Sequence, residues 1–169
     1  YKAQTRDIAV VELLFATGIR VSELCELSCD AVDLKQATIK VFGKGSKERV
    51  IQICSVEVLK ILRQYQRLFA PSKCFFINRL GNRLSSQSVR LLIKRCREEI
   101  GIGKKITPHT FRHTFATLLL EEDVDIKYIQ NLLGHSSITT TQIYTHVNMN
   151  KQKKILSSKH PRKKMEMEE

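Results

Sequence analysis

Six residues in this chain are of types that can move a phosphoryl group without a metal: Arg20, Lys44, His109, Arg112, His135 and Tyr144. They fall in five short patches: T-G-I-R-V-S-E-L (17–24), G-K-G-S-K-E-R (43–49), T-P-H-T-F-R-H (107–113), L-G-H-S-S (133–137) and T-T-T-Q-I-Y-T-H (139–146). Taken singly, each has a plainer explanation. Arg20 beside Glu23 reads as a surface ion pair worth at most about 1 kcal/mol. Lys44 between glycines reads as a solvated hairpin tip, and Tyr144 alone as a core or interface residue. His109 and His113, at i and i+4, face the same way on a helix. The zinc signature H-E-x-x-H, however, needs Glu at its second position, where Thr110 stands. No metal is therefore assigned.

Taken together, the patches acquire a common chemistry. The transition state of phosphoryl transfer gathers negative charge on its non-bridging oxygens. Arginine offers a planar, permanently charged fork that binds such oxygens in pairs. His109 falls in the first turn of one expected helix and His135 just ahead of another, where unpaired N–H groups and the helix dipole favour an anion. A free phenol ionises with a pKa of about 10, so forming the Tyr144 phenolate at neutral pH costs about 4 kcal/mol. A cationic pocket lowers that cost, and His109 is available to take the proton. The leaving oxygen needs a proton from a mobile arm, and Lys44 at a hairpin tip fits.

The elements that must carry these residues are legible from periodicity. Ile8, Val11, Leu14 and Phe15 recur at helical spacing up to Gly18, and Val21, Leu24 and Leu27 mark a short second helix. Ile39 and Val41 alternate with polar neighbours, a basic glycine-flanked turn follows at 43–47, and 49–53 runs extended, which predicts a β-hairpin. Val58, Leu62, Tyr65 and Phe69 mark a third helix, and 75–77 a short extended piece. Ser85 should cap a helix carrying Val89, Leu92, Ile93 and Cys96, ended by Gly101 and Gly103. Thr107-Pro108 starts the next, with Phe111, Phe115, Leu118 and Leu119 on its apolar face. Asp125 opens a helix bearing Ile126, Ile129, Leu132 and Leu133 that Gly134 ends. A last short helix should carry Ile143 and Tyr144. The expected fold is mainly α with one small antiparallel β-sheet.

The charge balance points to the partner. The 169 residues hold 29 Lys+Arg against 17 Asp+Glu, a formal charge of +12. A surplus of that size favours a polyanion, because each cation placed on a phosphate releases a condensed counterion. No stretch reaches the roughly 18 apolar residues of a membrane span, no helix pairs an apolar face with a continuous basic one, and no signal-peptide pattern is present. The five cysteines lack metal spacing and read as small buried hydrophobes in a reducing cytoplasm. The chain opens without Met, as a fragment would. From Asn148 onward Lys-rich and Glu-rich runs flank Pro161, with Ile155 and Leu156 as the obvious apolar residues. That tail is expected to be extended and mobile, with at most one short helix.

The ordered set Arg…Lys…His-x-x-Arg…His…Tyr resembles the tyrosine recombinase and phage integrase family, over roughly Ile8 to Val147. The resemblance implies a catalytic domain at 1–148, a basic tail at 149–169 that is mobile or docks on a neighbouring protomer, and a missing N-terminal core-binding domain. It implies that Arg20 and Arg112 grip the scissile phosphate, Lys44 is the general acid, His109 the proton acceptor, His135 a further phosphate donor and Tyr144 the nucleophile. Glu23 holds Arg20 or its surroundings in place rather than touching the substrate, Lys47 is the rival for Lys44, and Lys47, Lys104 and Lys105 contact DNA. The implied activity is site-specific cutting and rejoining of double-stranded DNA through a 3′-phosphotyrosyl intermediate, with no cofactor, metal or ATP, in the cytoplasm, by a homotetramer, or an assembly with a related recombinase, of the full-length protein on DNA. Two other readings compete. A DNA-binding module that has lost activity has no use for Tyr144, and a metal-dependent nuclease needs more clustered carboxylates than this chain offers.

Overall fold

The computed structural model describes residues 2–43, 48–69, 72–134 and 155–159. Its organising element is α1 (Lys2–Thr17), which packs against four other helices, α2 (Val21–Glu26), α3 (Val56–Leu68), α4 (Ser86–Glu99) and α5 (Pro108–Glu121). No Gly or Pro interrupts α1, and Gly18 ends it with φ +60°, its N–H donating to Leu14 O at 3.1 Å. The buried face is Ala9, Val10, Leu13, Leu14 and Ala16 with Thr5 and Thr17. This differs from the expected face: Ile8 is exposed, Val11 and Phe15 are half-buried, and of the four only Leu14 is buried. Neighbours on several sides bury a wide arc, and the small Ala9 and Ala16 let them approach closely, so the large side chains alone gave the wrong stripe.

The hairpin forms as expected from β2 (Thr38–Phe42) and β3 (Glu48–Gln52), with Ile39 facing Ile51 and Val41 facing Arg49. A third strand, β1 (Val32–Asp33), adds antiparallel to β2, giving the order β1-β2-β3. At two residues it is too short to show alternation in a sequence.

Ser55 caps α3 by accepting from the Val58 N–H, and Val58, Leu62 and Tyr65 face inward. The Tyr65 hydroxyl donates to Phe75 O at 3.0 Å and accepts from the Ile77 N–H at 3.1 Å, which ties the 75–77 segment to the core. Ser85 caps α4. Thr107 caps α5, accepting from the Thr110 N–H, with Pro108 at the first helical position. Asp125 caps α6 (Ile126–Leu133), and Gly134 closes it at φ 66°, ψ 44°.

Two apolar clusters result. The larger joins α1 to α4 and the sheet. The smaller holds Phe115, Leu119, Val124, Ile129, Leu132 and Leu133 together with Leu156. The segment 155–159 is helical, Leu156 is 2% exposed, and the Lys159 ammonium donates to Glu122 O. The helix expected to carry Ile143 and Tyr144 lies outside the described residues. Of the cysteines only Cys25 is buried, and the other four are half-buried rather than core residues. None of the described helices is long and apolar enough to cross a membrane. The fold is mainly α with a small three-stranded antiparallel sheet.

Candidate active site

Arg20 occupies the N-cap of α2 in extended conformation, and its backbone N–H donates to Glu23 Oε2 at 3.0 Å. Glu at the third helical position returning to the cap N–H is half of a capping box, and it also places a carboxylate at the positive end of the helix. The same carboxylate accepts Arg20 Nη1 at 2.9 Å, Arg49 Nη1 at 2.7 Å and Arg49 Nη2 at 2.8 Å. Glu23 is only 6% exposed. Burial opposes its ionisation, but the N–H donors and the Arg49 charge together prevail and hold the carboxyl below its ordinary range.

Arg112 lies on the inner side of α5, one turn beyond the buried Pro108 and one turn before the buried Phe115, and is 6% exposed. A guanidinium in such a place must be hydrogen-bonded. Nη1 donates to Gly18 O at 2.7 Å and Nη2 to Leu133 O at 2.6 Å. Burial, followed by repulsion from Arg20 and Arg49, lowers its pKa to about 10. Arg20 Nη2 donates to Gly134 O at 2.8 Å. Both arginines thus cap the carbonyl end of α6, where the helix dipole favours cations.

Arg20, Glu23 and Arg112 are brought together with one residue that sequence reasoning passed over, Arg49. Its guanidinium lies so close to Gly134 that a Cβ there would come within 2.9 Å of Nη1. Arg49 had a signal: it shares strand parity with the buried Ile51 and Ile53, and a cation on the inward parity needs a buried anion. Three guanidiniums stand near one carboxylate, which accepts from two of them, so the cluster carries a surplus of two positive charges among the described residues.

His109 is exposed at the second position of α5, one turn ahead of Arg112, and His113 is exposed one turn further along. No three His, Cys, Asp or Glu side chains are grouped to hold a metal ion among the described residues. Lys104 and Lys105 are exposed in the loop that leads into α5. Lys44, Lys47, His135 and Tyr144 lie outside the described residues. The Phe42–Glu48 pair brackets the hairpin tip to which the two lysines belong, and Gly134 directly precedes His135.

Residues 1–151 match the phage integrase family. A tyrosine recombinase of Agathobacter rectalis is 56% identical over 162 residues, covering 94% of this chain and 53% of that protein. The XerC tyrosine recombinase of Thermodesulfovibrio yellowstonii is 45% identical, over 92% of this chain and 55% of its own length. Among solved structures, the XerA recombinase superposes with a TM-score of 0.74 at 36% identity, over 92% of this chain and 58% of that one. The integrase of mycobacterium phage Brujita gives 0.74 at 28% identity, over 93% and 52%. The chain therefore spans about half the length of the relatives it matches. Matched along most of its length, the chain belongs to the phage integrase family.

Proposed function

We propose that this chain is the catalytic part, residues 1–148, of a site-specific tyrosine recombinase that cuts and rejoins double-stranded DNA in the cytoplasm. The observation that carries the reading is the surplus of two positive charges in the arginine cluster, with Arg112 itself held in the interior. A fold retains unneutralised guanidiniums in such a place where an anion completes them, and a phosphodiester is the anion that suits two arginine forks. The reading is also supported by XerH, a site-specific recombinase similar to this chain at 27% identity and a TM-score of 0.71. It has been crystallised bound to its difH substrate before cleavage and, on a palindromic difH, after it.

In this mechanism Arg20 and Arg112 hold the non-bridging oxygens of the scissile phosphate, with His135 as a further donor. Tyr144 Oη attacks phosphorus and gives its proton to His109. The bond to the 5′-oxygen breaks, Lys44 protonates that oxygen, and the strand is left as a 3′-phosphotyrosyl ester. Attack by another 5′-hydroxyl reverses each transfer and rejoins DNA, so the phosphodiester energy is conserved. Glu23 touches no substrate and keeps Arg20 in place. Lys47, Lys104 and Lys105 contact the flanking backbone. The working assembly of the full-length protein is a homotetramer, or a tetramer with a related recombinase, on DNA.

The test is covalent capture. Nicked duplexes of randomised sequence, whose cleaved end diffuses away, should leave a protein–DNA adduct on a denaturing gel, insensitive to chelator. Peptide mapping should place the adduct on Tyr144, and Tyr144→Phe should bind DNA nearly as well yet form none. An adduct on the Phe variant would move the nucleophile elsewhere.

A further inference from the structure

Arg49 is the one member of the charge cluster without a part in the proposed chemistry, and its geometry shows what it does. Both of its terminal nitrogens donate to Glu23, whereas Arg20 gives that carboxylate only one of its two. Its side chain is 8% exposed, and its Nε–H is buried with no hydrogen-bond partner among the described residues. An orphaned donor on a buried cation is expensive to maintain, and its guanidinium also leaves no room for a side chain at residue 134.

The consequence follows from counting acceptors. Glu23 has two oxygens, and Arg49 takes both in a bidentate pair. The Arg20 backbone N–H holds Oε2 at 3.0 Å, its guanidinium is left with one contact to Oε1 at 2.9 Å, and its other terminal nitrogen turns to Gly134 O. Without Arg49, a buried carboxylate beside a single guanidinium would close a two-pronged pair with it. Arg20 would then be neutralised and drawn off the end of α6. Arg49 also belongs to β3, directly after the hairpin tip, so the same contact fixes the hairpin against the arginine pair.

We infer that Arg49 is a positioning residue that saturates Glu23 and so keeps Arg20 available to the scissile phosphate. The inference rests on the recombinase reading above. The intact protein is assayed in single turnover on the nicked duplex recovered by covalent capture on the wild type. Arg49→Met lowers the cleavage rate at saturating DNA about 100-fold, the scale of a small misplacement at a reacting centre. DNA affinity changes less than about threefold, since many other cations supply it. Adding Glu23→Gln to Arg49→Met removes the carboxylate that captures Arg20 and restores at least tenfold of the roughly 100-fold lost rate. A purely structural role predicts the opposite, a double variant slower than either single one. Arg49→Lys keeps the charge but makes one contact in place of two, and cleaves about tenfold more slowly than wild type.

A double variant no faster than Arg49→Met overturns the inference, as does an Arg49→Met that cleaves at the wild-type rate. If circular dichroism shows Arg49→Met unfolded, Arg49→Lys decides, and a wild-type rate there overturns it. If the wild type itself captures no duplex, the recombinase reading fails and this inference with it. If the wild type captures DNA and the variants behave otherwise than stated, only the role of Arg49 fails.

Discussion

Arg20 and Arg112 donate to consecutive carbonyl oxygens at the end of one helix, Gly134 O at 2.8 Å and Leu133 O at 2.6 Å. Two side chains from distant parts of the sequence thus take their spacing from two consecutive peptide units at the end of α6. The residue that follows, His135, is a further member of the proposed site. A shift of the α6 terminus therefore moves both forks together.

Removing either fork should lower single-turnover cleavage by at least about 100-fold, the effect of deleting one preorganised charge donor. DNA affinity should fall far less. Arg112→Ala should also unfold at lower urea than Arg20→Ala. It strips donors from two buried carbonyls, Gly18 O and Leu133 O, at about 1–3 kcal/mol for each unsatisfied group. A near-wild-type rate in either variant would remove that arginine from the site.

Lys44 and Lys47 can be separated by the leaving group. A duplex with sulfur replacing the 5′-bridging oxygen releases a thiolate that needs no proton. It should restore cleavage to Lys44→Ala and leave Arg20→Ala inactive. Restoration of Lys47→Ala instead would move the acid three residues along the hairpin.

Acid should loosen the cluster through Glu23. Its folded pKa lies below the ordinary value of 4.5, so its stabilising contribution is fully present above 4.5 and is lost as the pH falls through the lower folded value. Glu23→Gln should cost about 3–5 kcal/mol at neutral pH, because it leaves Arg49 charged and unpaired in the interior. It should also flatten the stability profile below pH 4.5, and a profile as steep as the wild type would show that the acid sensitivity lies elsewhere.

Gly18→Ala should be costly on two counts. The residue sits at φ +60°, and a Cβ would lie 2.8 Å from both Leu133 Cδ2 and Phe115 Cδ1. Overpacking of this kind costs about 1–3 kcal/mol, with about 1–2 kcal/mol more for the left-handed backbone. Gly18 O is also an anchor of Arg112, so cleavage should slow even where the variant remains folded. Thermal melting paired with single-turnover rates would show whether the two losses occur together.

Leu156→Ala should report how firmly the 155–159 segment is seated. A buried leucine truncated in a packed cluster costs about 2–5 kcal/mol, and Leu156 is 2% exposed among Phe115, Leu119 and Ile129. If the segment leaves its seat before the rest unfolds, amide exchange at 155–159 should quicken while the midpoint of global unfolding barely moves.

The hairpin, the caps of α4 to α6 and the closing Gly134 were legible because each depends on a short pattern with a local cause. The buried face of α1 was not, since it is decided by helices from other parts of the chain, and the sequence favoured Ile8 and Phe15 for their size. Arg20, Glu23 and Arg112 stand out through their motifs. Arg49 does not, because a strand arginine looks like surface until its parity with Ile51 is noticed. The anchoring of both forks on carbonyls of residues 133 and 134 is invisible in a sequence, as main-chain acceptors carry no letter.

That choice of acceptor bears on what inheritance can do to the site. A carbonyl oxygen is present whichever residue occupies the position, so no coding change at Leu133 deletes the oxygen that Arg112 uses. At 18 and 134 drift is limited by backbone angle and space rather than by the hydrogen bond itself. Glu23 is the exception, a side-chain acceptor serving two arginines at once, and a single codon change can abolish it. No substitution can delete the cluster's main-chain acceptors, glycine is held at 18 and 134 by space and backbone angle, and the one acceptor open to outright loss is a carboxylate.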